Sequence, residues 1–143
     1  MPSARKPHTP PDAPTVDIGN ALRDLGLTVT VAGPREWHVA LPSEARRSFG
    51  VVVRHAERTV RLVAFFMRTP DRNREEVFRS LLRRNLDQAH WRFAVDDHGD
   101  VYLLAATEVE GLDAARLDAL LGQLIVIGDA AYDTVMRLGF EVA

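Results

Sequence analysis

The strongest constraint on this chain is the segment Thr59 to Arg68, which is apolar on both sides when drawn as an extended strand. Successive side chains of a strand point to opposite faces, so Val60, Leu62, Ala64 and Phe66 share one side. The other side begins polar at Thr59 and Arg61, then turns apolar at Val63, Phe65 and Met67. Strands apolar on both faces are covered on both. With 143 residues the chain has material for about one domain. The second cover is therefore expected to be a helix, a second subunit or a bound partner.

The flanking sequence reads as an alternation of short elements. Ile18, Leu22 and Leu25 follow Asp17 at helical spacing, and Gly26 is placed to end that helix. Leu27–Ala32 and Glu36–Leu41 are predicted strands around a Gly33-Pro34 turn, with Trp37, Val39 and Leu41 on one face. Phe49–Arg54 is predicted to pair with Thr59–Arg68 across His55-Ala56-Glu57-Arg58, a link of hairpin length. Thr69-Pro70-Asp71 carries the signals of a helix start, and Val77, Phe78, Leu81, Leu82 and Leu86 form a stripe behind it. Ala89–Asp96 and Val101–Val109 read as a hairpin around Asp97-His98-Gly99-Asp100. Asp113 is the expected cap of a last helix reaching Leu138, with Gly139 as its C′ stop. Helix, strands, helix, hairpin, helix is an α+β pattern.

Residues 1–14 hold five of the eight prolines and almost no large apolar side chain, so they are expected to form a disordered tail before a domain over 15–143. Pro7 and Pro10 make a generic PxxP within it. No continuous apolar run, such as Leu62–Met67 or Leu124–Ile127, serves as a signal-peptide core or approaches the ~20 residues of a membrane span. The expected location is the cytoplasm, without membrane contact.

Charge excludes a polycation. Lys and Arg total 18 against 20 Asp and Glu, a formal charge of -2, so nucleic acid is not an expected partner. Lys6 is the only lysine, and five of the arginines fall between Arg72 and Arg84. Arg72, Arg79 and Arg83 are the candidate face for an anionic partner, although Glu75 and Arg79 at i,i+4 also suit an ordinary solvated helix.

Motifs for chemistry are missing. His8, His38, His55, His90 and His98 show no i,i+4 pairing, there is no cysteine, and Asp96 to Asp100 lacks the spacing of a calcium loop. Neither a GxSxG elbow nor a Gly-rich phosphate loop occurs, and Tyr102, Asp129, Tyr132 and Asp133 are not set apart by their spacing. No catalytic residue, metal or cofactor is expected.

From Arg68 onward the residues resemble a known family. Arg68-Thr69-Pro70-Asp71, Val77-Phe78-Arg79-Ser80-Leu81-Leu82-Arg83-Arg84-Asn85 and the hairpin Phe93 to Leu103 are similar to the signature of actinobacterial YbjN-domain proteins. Leu112-Asp113 to Gly122, Leu138-Gly139-Phe140 and, upstream, Trp37–Pro42 extend the resemblance over about residues 17–141. Ser80 stands where relatives often carry tryptophan, and the Pro-rich tail lies outside the pattern. The resemblance implies the fold of class I type III secretion chaperones, a twisted antiparallel sheet packed with helices and commonly dimeric. It brings no active site to transfer.

The expected function is accordingly a non-enzymatic protein-binding module, chaperone-like or regulatory, that holds a polypeptide and forms a homodimer. Phe49, Val51, Val53, Val63, Phe65 and Met67 are the residues expected at its partner or dimer surface. The alternative is a regulatory domain that senses a small molecule in a pocket between the sheet and the C-terminal helix.

Overall fold

The structure, a computed structural model, describes residues 17–43 and 48–140. The proposed tail over residues 1–14 and the outer limits of the domain lie outside the described residues. Six strands form one antiparallel sheet in the order β1-β2-β3-β4-β6-β5. They are β1 (Thr28–Gly33), β2 (Glu36–Pro42), β3 (Ser48–His55), β4 (Thr59–Met67), β5 (Arg92–Val95) and β6 (Val101–Glu108). Helices α1 (Ile18–Asp24), α2 (Arg74–Arg84) and α3 (Ala114–Gly139) complete the α+β arrangement.

Local chemistry sets most element ends. The Asp17 carboxylate accepts from the Asn20 amide and starts α1, and Gly26 follows that helix in the left-handed region at φ 82°. Asp113 caps α3 in the same way, accepting from the Arg116 amide at 2.9 Å. Gly99 supplies the left-handed residue of the β5–β6 turn at φ 88°.

Helix α2 begins later than the sequence predicts. Thr69, Pro70 and Asp71 form a strap instead, because the Asp71 and Arg72 amides donate to the Gly139 carbonyl at the end of α3. Asn73, left-handed at φ 53°, turns the chain into α2, and its amide side chain donates to the Leu138 carbonyl. Gly139 is the last residue of α3 and not a left-handed C′ residue beyond it, and it is packed so tightly that a Cβ would sit 3.1 Å from Pro70 and 3.2 Å from Val77. Its missing side chain makes room for the strap.

The core fills one face of the sheet. Val39, Leu41, Phe49, Val51, Val53, Val60, Leu62, Ala64 and Phe66 are all buried beneath the helices. Phe66 is the hub of an aromatic cluster, stacked with Phe49 at 6.5 Å and edge-on to Phe93 at 5.2 Å and Tyr132 at 6.4 Å. Trp91 is fully buried and donates its indole N–H to the Leu120 carbonyl at 2.9 Å, tying the β5 side to α3.

Contrary to the expectation that no segment approaches a membrane span, helix α3 is long and apolar enough, by length and composition, to cross one, its apolar residues being interrupted by polar ones. Here its stripe Leu117, Leu120, Leu121, Leu124, Gly128, Ala131 and Val135 is buried on the core side. On α2, Val77 and Leu81 are buried as expected. Leu82 is not, being 63% exposed about 100° around from Leu81, and neither is Leu86, 82% exposed in the 3-10 turn Asn85–Asp87 that follows α2.

Candidate functional site

Among the described residues no helix covers the second face of the sheet. Register defines what that face displays. Thr30 lies opposite His38, His38 opposite Val52, Val52 opposite Val63, Val63 opposite Leu104, and Leu104 opposite Arg92. A neighbouring row runs Thr28, Ala40 and Gly50 on one side and Phe65, Tyr102 and Ala94 on the other. Val52, Val63 and Leu104 are half-buried by each other, and Phe65 is 43% exposed. The Phe65 and Tyr102 rings meet edge to face at 5.6 Å. Val52, Val63, Phe65 and Tyr102, with the small Ala40 and Gly50, line a shallow concavity of about 430 Å³.

The face is apolar in the middle and carries charged groups at both ends. Glu36 accepts from Arg54 at 2.7 Å and shares a hydrogen bond with His38 at 3.1 Å. The His38 hydrogen bond, followed by that of Arg54, holds the Glu36 carboxyl below the usual carboxylate range. At the other end, Asp96 receives the Tyr102 hydroxyl and the backbone amides of His98 and Asp100. Partial burial would raise the Asp96 carboxyl, but those three donors outweigh it and leave it lowered. Burial, with Asp96 beside it, raises the Tyr102 phenol. Tyr102 is thus held in one orientation beneath Phe65.

Of the six residues expected at a partner surface, Val63 and Phe65 lie on this open face. Phe49, Val51, Val53 and Met67 do not, since each is buried in the core of the single chain. Alternation accounts for the first three, which face the helices together with Trp37, Val39 and Leu41. Met67 is displaced by an irregularity of pairing between β4 and β6, where Phe65 lies opposite Tyr102 but Met67 lies opposite Val101. This bulge sends both Phe66 and Met67 inward. Sequence reasoning missed Val52, Tyr102 and Leu104. Their signal was present, because alternation that puts Val101, Leu103 and Ala105 inside puts Tyr102 and Leu104 outside.

The arginines are placed less distinctively. Arg79 pairs with Glu75 on α2 at 2.7 Å, Arg83 is exposed on the same helix, and Arg72 is exposed in the strap before it. Asp129 accepts from the Ser43 hydroxyl at 2.7 Å, joining the end of β2 to α3. No group of three His, Asp or Glu side chains is placed to hold a metal ion among the described residues. An open groove of about 710 Å³ does occur beside α3, but not between helix and sheet. Gly122, Val126 and Ala130 of α3 face Arg84, Gln88 and His90 from the α2–β5 connection across it.

A family model described as "YbjN: Putative bacterial sensory transduction regulator" matches residues 16–137. The chain belongs to the YbjN family. Curated relatives include uncharacterized proteins of Mycobacterium bovis, 36% identical, and Mycobacterium leprae, 33% identical, each over 103 residues or 72% of this chain. The chain spans only 56% of the length of those relatives. Among solved structures, the YbjN fold seen here resembles the ExoU–SpcU complex from the Pseudomonas aeruginosa type III secretion system, with TM-score 0.60, 19% identity, and 82% of this chain and 96% of that one covered. It is similar to Escherichia coli YbjN, described as "a putative transcription regulator", with TM-score 0.60, 13% identity and 82% and 90% covered. It also resembles the Yersinia pestis type III secretion chaperone SycH in complex with a fragment of YscM2, with TM-score 0.56, 15% identity and 78% and 93% covered. At these identities the likeness is one of fold, and it establishes the secretion-chaperone-like fold for this chain.

Proposed function

We propose that this YbjN domain is a non-enzymatic polypeptide-binding module of the cytoplasm, which holds its partner on the open face of the sheet. The observation that carries this reading is the apolar row Val52, Val63 and Leu104 beside the exposed Phe65, on a face that no helix covers among the described residues. Removing such surface from water is favourable at about 25 cal/mol per Å², and contiguous apolar patches on an otherwise charged protein are where partners bind. Two of the structural neighbours are secretion-system proteins solved with a protein partner, which supports the same reading for this chain. The test is affinity capture from the native host with the full chain and with Phe65→Asp and Val63→Asp variants, each checked for folding by circular dichroism. A partner captured by the wild type and lost with both variants is expected. A partner retained by both would place binding elsewhere.

A second copy is proposed at a different surface. Leu82, Leu86 and Val126 are the most exposed large apolar side chains on the helical side, at 63%, 82% and 69%, and two-fold pairing there would cover them. Sedimentation of the full chain and of a Leu86→Glu variant tests this, with dimer expected for the first and monomer for the second.

The groove beside α3 favours one further reading, a small-molecule sensor. Arg84 lines it, and the Arg84 Nε is buried with no hydrogen-bond partner among the described residues. A metabolite that raises the melting temperature by mass action, and does so less in an Arg84→Gln variant, would favour sensing over polypeptide binding.

A further inference from the structure

The groove of about 710 Å³ beside α3 joins a cation that nothing holds to a wall of small apolar residues. Arg84 is half-buried, whereas every other arginine among the described residues is exposed. Its Nε is buried without a hydrogen-bond partner, and no carboxylate among the described residues pairs with its guanidinium. Arg54, Arg68 and Arg79, all exposed, each have a carboxylate partner. The protein thus pairs arginines that water already serves and leaves unpaired the one that water serves least. A guanidinium is always charged, and a buried charge is stable only when it is paired and hydrogen-bonded. Arg84 lacks the anion that its position calls for.

The rest of the groove describes that anion. Gly122, Val126 and Ala130 line it at four-residue spacing, so the α3 wall runs about 12 Å. Val126 is 69% exposed, and nothing lies within 4 Å of the Cβ position of Gly122, so this wall is open to a ligand. The other wall is fixed before anything binds. Trp91 donates to the Leu120 carbonyl, and His90 Nδ1 lies 3.2 Å from Gln123 Oε1, which together hold the α2–β5 connection to α3. Asp87 also lines the groove, exposed and unpaired with Arg84, and its charge disfavours a ligand with more than one negative group. A guanidinium offers two parallel N–H groups, the arrangement that a carboxylate accepts side by side. Turning the Nε edge of Arg84 toward the groove breaks no hydrogen bond, because that nitrogen makes none among the described residues.

We propose that this groove binds a small amphipathic carboxylate, its charged end on Arg84 and its apolar part along Gly122, Val126 and Ala130. This rests on the reading of the groove as a small-molecule site and adds the class of ligand. Affinity then follows chain length as well as charge. Full burial of a methylene tightens binding about fourfold, and on a wall open at one side about twofold is expected.

Octanoate is the probe, with 1-octanol and octylammonium as its uncharged and cationic counterparts. In the full, nitrogen-15-labelled chain, octanoate should move the amide signals of Ala89, Gly122, Val126 and Ala130. It should also shift the Arg84 Nε–H signal, identified by its loss in Arg84→Gln. Octanoate is expected to bind about fourfold more tightly than hexanoate, and at least fivefold more tightly than 1-octanol or octylammonium. Arg84→Gln should weaken octanoate about tenfold and leave 1-octanol unchanged. Gly122→Leu, which fills the groove from an exposed position of α3, should weaken both and tests the wall independently of Arg84. Equal binding of the three eight-carbon probes would overturn the carboxylate and leave a small-molecule groove. Groove signals that move with a metabolite extract of the native host but not with octanoate would overturn the ligand class and keep the sensor reading. Signals that move with neither would remove both. Octanoate shifts lost in Leu86→Glu would place the ligand between two copies and overturn the single-chain site.

Discussion

Phe49 on β3 and Gly128 on α3 lie against one another with no room for a side chain between them. A Cβ at position 128 would collide with the Phe49 Cζ and lie 2.8 Å from its Cε2. The contact sets how closely α3 approaches the sheet, and the Phe49–Phe66 stack sits beneath it.

Gly128→Ala is therefore expected to destabilise the fold by about 1–3 kcal/mol through overpacking, despite the ~0.5–1 kcal/mol that alanine gains over glycine in a helix. Gly122→Ala, exposed on the same helix with nothing within 4 Å of its Cβ position, should instead stabilise by up to about 1 kcal/mol. Urea midpoints of the two variants with unchanged m-values would establish this opposition of sign. Equal effects would mean that α3 does not pack as described.

Phe65 and Phe49 are both phenylalanines on neighbouring strands, yet they should respond in opposite ways. Phe49→Ala removes a fully buried ring and is expected to cost about 3–5 kcal/mol. Phe65→Ala removes a ring that is 43% exposed, so its stability cost should stay below about 1.5 kcal/mol while partner capture falls. Thermal melts and capture by the same pair of variants separate a core role from a surface role. A large stability loss for Phe65→Ala would show that the open face is covered by the protein itself.

Several features of this fold were legible because one physical signal decided each of them. Asp113 as a cap, Gly26 and Gly99 as left-handed residues, and the inward set Val60, Leu62, Ala64 and Phe66 follow from capping, turn chemistry and alternation. Met67 did not follow, because a bulge changes the period of a strand without changing its composition. Leu82 and Leu86 were misplaced because adjacent leucines satisfy more than one helical stripe, and only packing on α3 selects Val77 and Leu81. The strap Thr69-Pro70-Asp71 looks like a helix start locally, and it is the distant Gly139 carbonyl that captures its amides. The open face itself was legible in Val63 and Phe65, while its other half came from the register with β3 and β6.

Glu36 gives the acid limb of stability a recognisable contribution. Its carboxyl is held low first by the His38 hydrogen bond and then by Arg54. A carboxyl whose folded value lies below its unfolded value, about 4.3 for glutamate, contributes stability above that unfolded value and loses it as pH falls through the folded one. The urea midpoint of wild type should exceed that of Glu36→Gln at pH 6, and the difference should shrink as pH is lowered below about 4. Because Glu36 is only half-buried and its partners His38 and Arg54 are exposed, 150 mM salt should also reduce the difference. A gap that grows on acidification would show that Glu36 is not stabilised as its ion.

Gly99 joins two constraints that can be separated by mutation. It is left-handed at φ 88°, and a Cβ there would lie 2.6 Å from the Thr69 hydroxyl oxygen. That hydroxyl donates to the His98 carbonyl, and the Thr69 amide donates to Asp100 at 2.8 Å, so the hairpin turn is fastened to the strap that runs on to Gly139. Gly111 is also left-handed, at φ 77°, but has nothing within 4 Å of its Cβ position. Alanine at either site bears the left-handed backbone cost of about 1–2 kcal/mol. Only at position 99 does the new methyl also push Thr69 away. Gly99→Ala should therefore lower stability by about 1 kcal/mol more than Gly111→Ala, and a Thr69→Ser change, which removes the γ-methyl at 3.3 Å, should recover part of that excess. Equal losses for the two glycines in urea titrations would show that the turn and the strap are not held together.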